Sequence, residues 1–240
     1  MSRPAPRIAK GVPLSLLMVA ASLTFLGLER LTGFEFLYHL AAIPLDILIA
    51  VFIVERYQER HASLERRRHL MYIKSTMFRS DMRTLFIANF HALKSPVLTM
   101  SRIKSASLAE LKSMRAAAAA VEYKSVEAME PVIMEYVKAE RVWQSFLQQA
   151  VENNFEEVFA RMIEILHFLY DVKLFKENNP DKLFIREAEK RGPLLNKARK
   201  VLHDGILAFL DYALELKEKT PAMFDEVMAD YEMTELIKGL

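Results

Sequence analysis

The chain has 240 residues, with 33 Lys and Arg against 31 Asp and Glu, no Cys, 6 Gly and 52% apolar side chains. These values exclude a polar disordered chain, a collagen-like repeat, a disulfide scaffold and a zinc-thiolate protein, and a net charge of +2 is too small to argue for nucleic acid. The charge is uneven, however: residues 55–115 carry 13 basic and 5 acidic side chains (+8), whereas residues 116–240 carry 16 and 23 (−7).

Val12 to Leu28 is a run of 17 residues without charge, and Phe36 to Val54 is a run of 19 with one acid, Asp46, and one His. At about 1.5 Å per residue these reach roughly 26 and 29 Å, close to the ~30 Å hydrocarbon core, and predict two transmembrane helices. A signal-peptide core behind Arg3, Arg7 and Lys10 is the alternative for the first, but the run is long and no small-x-small cleavage site follows it before Glu29. Basic residues flank both outer ends while the Glu29 to Glu35 tip has net charge −1, so the positive-inside rule puts both termini in the cytoplasm. The short tip has no room for a re-entrant selectivity filter.

On the second span, Glu35, His39 and Asp46 fall within roughly 40° of one another at about 100° per residue. Asp46 sits near the bilayer midplane, where an exposed carboxylate costs about 2.5–3.5 kcal/mol. This intramembrane polar stripe therefore calls for a partner, either as a hydrogen-bonding contact that fixes helix packing or as the lining of an ion or proton path. Pro44, two residues earlier, loosens the local backbone bonding.

The helical pattern continues past Val54 to the Ser95-Pro96 breaker. In this basic stretch Arg56, Arg60, Arg66, Arg67 and Arg68 are placed for anionic lipid headgroups, each worth about 1 kcal/mol near the surface. No aromatic platform accompanies them, which disfavours a nucleic-acid partner.

Beyond Pro96 the breakers mark further helices. Ser107 to Glu110 reads as a capping box, and Pro131 sits in a first turn. Asn153-Asn154 precedes a long apolar helix, Gly192-Pro193 opens another, and Thr220-Pro221 offers an N-cap with proline at the first helical position. Phe155 to Lys176 carries apolar residues round most of its circumference and is expected to be the buried centre. No strand alternation or repeat is present. The fold class is all-α, organised as an N-terminal cytoplasmic segment (1–11), a transmembrane hairpin (12–54, spans 12–28 and 36–54), a basic juxtamembrane helix (55–95) and a cytoplasmic helical bundle (96–240).

Chemistry is sparse. Glu164 and His167 form an E-x-x-H element on a helix, with Asp171 one turn on, but a di-iron bundle needs a second such element, and the position three residues before His203 is Lys200. No P-loop, G-x-S-x-G or H-E-x-x-H occurs. No cofactor is expected. The sequence thus favours a non-catalytic, membrane-anchored scaffold or accessory subunit, forming homo-oligomers or joining other membrane subunits. The alternative is a small oligomeric channel lined by the second span and gated by the bundle. A metal-dependent enzyme at Glu164 and His167 ranks third.

Overall fold

The computed structural model describes residues 12–238, which form an almost wholly helical chain divided into two compact units at Arg68/His69. The first contains α1 (Val12–Thr32) and most of α2 (Phe36–Ser80). Between them Gly33 takes a left-handed conformation (φ 68°), which glycine adopts without a Cβ penalty, and closes α1 by donating its N–H to the Glu29 carbonyl at 2.7 Å. Pro44 lies within α2, which continues through it. Among the described residues α2 is the one helix long and apolar enough to cross a membrane.

The last turns of α2 belong to the second unit. There the helix ends at Ser80, followed by a turn and α3 (Arg83–Ala92), so the single helix expected to run to Ser95-Pro96 is two. The Arg83 guanidinium donates to the Arg79 carbonyl and the Asp81 amide to the Met77 carbonyl at 3.0 Å, so terminal carbonyl groups of α2 find partners just beyond it. The break buries Met82, Leu85, Phe86 and Phe90.

Next come β1 (Leu93–Ser95), α4 (Met100–Ser105), α5 (Leu108–Ala117) and β2 (Glu122–Tyr123). The two strands pair antiparallel, Leu93 opposite Tyr123, in a ladder too short to leave an alternating pattern. Ser107 caps α5 as expected: its hydroxyl accepts the Glu110 amide at 3.2 Å while the Glu110 carboxylate accepts the Ser107 amide at 2.7 Å. These bonds hold the Glu110 carboxyl below its usual range.

The bundle is completed by α6 (Met129–Lys138), α7 (Glu140–Glu152), α8 (Glu156–Asn178), α9 (Phe184–Glu189), α10 (Gly192–Lys219) and α11 (Pro221–Lys238). Its centre is α10, not α8. Along α10 Val201, Leu202, Ile206, Phe209, Leu210 and Ala213 are buried at helical spacing, and the helix touches α3, α5, α6, α8, α9 and α11. Phe209 meets Phe86, Phe90 and Tyr231 with ring centroids 4.9–5.2 Å apart, the separation of favourable aromatic pairs. On α8 the inward face is narrower, with Met162, Phe168, Leu169 and Val172 buried but Phe159 exposed.

In the second unit two buried polar side chains, Glu130 and Asn89, are tied to the backbone. Glu130 accepts the amides of Phe184 and Ile185 at 3.1 and 2.9 Å and pairs with Lys176 at 2.8 Å, which supplies the start of α9 with the partners it lacks. Asn89 donates to the Leu202 carbonyl at 2.9 Å and accepts from Tyr123. α11 is fastened by Arg79 and Arg83 on Asp230 and by the Tyr231 hydroxyl on the Phe78 carbonyl at 2.5 Å. The Thr220 hydroxyl donates back to the Leu216 carbonyl at 3.3 Å, so it serves the end of α10 and not the start of α11.

Candidate functional site

In the first unit two of the described residues are buried, Ser22 and Ala41, each 4% exposed. The half-buried positions extend from them in helical steps: Met18, Ala21, Phe25 and Glu29 on α1, and Leu37, Leu40, Pro44 and Leu48 on α2. At about 100° per residue, the α2 set centres roughly 180° from Glu35, His39 and Asp46. All three polar residues are exposed, as are Ala42 and Ala50 beside them. Glu35 stands in the turn just before α2, and His39 and Asp46 carry its direction along the helix. The stripe is therefore gathered on one face, turned away from the positions that the chain itself covers.

Further along α2, Arg56, Arg60, Arg66 and Arg68 are exposed, and Arg66 Nε donates to the Ala62 carbonyl at 3.2 Å. The Arg67 side chain and the 1–11 segment, with Arg3, Arg7 and Lys10, lie outside the described residues.

In the second unit Glu164 is engaged by Lys200, His167 is exposed, and Asp171 pairs with Lys197 at 2.8 Å. The E-x-x-H carboxylate thus has an ammonium partner. Among the described residues no group of three or more His, Asp or Glu is arranged to hold a metal ion.

The second unit also holds a cavity of about 280 Å³. Phe78, Phe86, Tyr136, Trp143 and Phe146 supply its aromatic wall. Tyr136 and Trp143 are stacked, 5.4 Å apart and 12° from parallel, and Trp143 Nε1 donates to the Tyr136 carbonyl at 3.2 Å. Gly205 leaves space for the Tyr136 hydroxyl, which a Cβ there would strike. Burial depresses the Lys74 ammonium from its ordinary value against the opposing pull of Glu215 and Asp211, and Arg161 adds to the depression.

Comparison with known protein families, curated proteins and solved structures finds no match for this chain. Its function rests on its own geometry. Lys74 and Trp143 carry no sequence signal of a site: Lys74 is one more cation in a basic stretch, and its surroundings come from the distant helices α6, α7, α8 and α10.

Proposed function

We propose that the protein is a non-catalytic, membrane-anchored helical scaffold or accessory subunit of an oligomeric membrane complex. In this reading residues 12–28 and 36–54 span the bilayer, both termini are cytoplasmic, and the basic segment after Val54 rests on anionic headgroups. The observation that carries it is the exposed Glu35, His39 and Asp46 face opposite the covered face of α2. A carboxylate near the midplane costs about 2.5–3.5 kcal/mol if it meets lipid, so a second copy or another membrane subunit covers it.

The same stripe supports a second reading, an oligomeric ion or proton path ringed by Asp46. Mass measurement in nanodiscs and flux measurement in vesicles separate the two. The scaffold reading expects a defined oligomer, retained in Asp46→Asn and weakened in Asp46→Leu, with no potential-driven flux. Flux that disappears in Asp46→Asn while the oligomer persists supports the channel, and a monomer in every lipid tested refutes both. For topology, reporters at either terminus should be cytoplasmic and one near Thr32 external; a cytoplasmic Thr32 reporter overturns the hairpin.

A further inference from the structure

The cavity beside Lys74 has an aromatic wall and an ammonium group in need of a partner. Lys74 is half-buried yet makes no hydrogen bond or ion pair among the described residues. The two acids that act on it are engaged elsewhere: Asp211 takes Arg115 at 2.7 and 3.3 Å, and Glu215 takes Lys219. Arg161, also lining the cavity and also without an ion pair among the described residues, adds a second positive charge. Two other lining acids lack ion pairs, Glu157 at the exposed rim and Asp204 on the side that acts on Tyr136. The unpaired charges of the lining balance at two cations and two acids, but neither acid bonds to Lys74, and a cationic ligand there would meet both Lys74 and Arg161.

We infer that this cavity binds a small monocarboxylate with an apolar body, its carboxylate on Lys74 and its body against Trp143 and Phe146. A half-buried ammonium with three free donors gains a charge-assisted hydrogen bond, while the aromatic wall takes the apolar portion out of water. The cavity's size of about 280 Å³ suits one short chain and not the paired acyl chains of a membrane lipid. This inference is independent of the assembly reading.

Trp143 is the single tryptophan of the chain and lines the cavity, so its emission reports occupancy directly. Full-length protein in nanodiscs of zwitterionic lipid is titrated with octanoate, octanol and octylamine. Octanoate should change the emission saturably, with a half-saturation lower by about tenfold or more than either comparator, the worth of a charge-assisted hydrogen bond. Lys74→Met should remove that preference with helical content unchanged, and Lys74→Arg should keep it. Equal half-saturation for the three compounds, a purely linear response, or a wild-type titration in folded Lys74→Met overturns the inference. If Lys74→Met does not fold, the three-compound comparison on the wild type decides.

Discussion

The two units treat apolar surface in opposite ways. In the first, Leu23 and Phe52 are 63% and 61% exposed. In the second, Phe86, Phe168 and Phe209 are buried and the charged groups largely pair at the surface. The second pattern is that of a chain folded against water. The first is that of a surface suited to lipid or to another protein, since large contiguous apolar patches are rare on proteins that stand alone in water.

The contrast can be broken most forcefully at Phe209. Phe209→Ala should destabilise the bundle by about 3–5 kcal/mol, whereas Phe52→Ala should change it by less than ~0.5 kcal/mol, in denaturant melts of the protein in micelles. Equal effects would erase the distinction between the units. Glu130→Ala follows, at about 3 kcal/mol in the same melts, because it leaves Lys176 and two α9 amides without their shared acceptor. Asp46→Leu tests the other unit: association should weaken by about 0.6–2 kcal/mol per contact, with the melt of the bundle unmoved.

The smallest effect is at the α5 cap, where Ser107→Ala should cost about 1 kcal/mol. The same cap gives a pH dependence. Glu110 has a folded-state value below its unfolded one, so its contribution is present above the unfolded value and lost as pH falls through the folded one. Amide exchange at Ser107 should accelerate, relative to unfolded controls, only in that acidic window.

Helix starts are readable from sequence because local chemistry determines them. Ser107 with Glu110, the Asn153-Asn154 pair and Gly192-Pro193 each precede or open a helix where the chain has one. The break after Ser80 is not readable, since the helical pattern continues through it and the turn is stabilised by burying Met82 and Phe86 against distant helices. Apolar periodicity also overrates α8, whose many apolar positions are shared among a buried face, partly covered flanks and the exposed Phe159, while α10 is covered from several sides. The polar stripe on α2 follows from helical spacing alone; that it lies opposite the covered face requires the structure. Lys74 becomes conspicuous only once α8 and α10 are placed around it.

The fastening of α11 has a consequence for synthesis. Asp230 and Tyr231 meet Arg79, Arg83 and the Phe78 carbonyl across about 150 residues of chain, so these contacts form only after the ribosome has made α11. The apolar segments of the first unit emerge long before. Until α11 has emerged, nascent chains therefore present Phe78 and Phe209 without Tyr231, an interval in which exposed apolar surface invites aggregation. Closure of the bundle thus waits for α11 and is not completed while the earlier helices are being made.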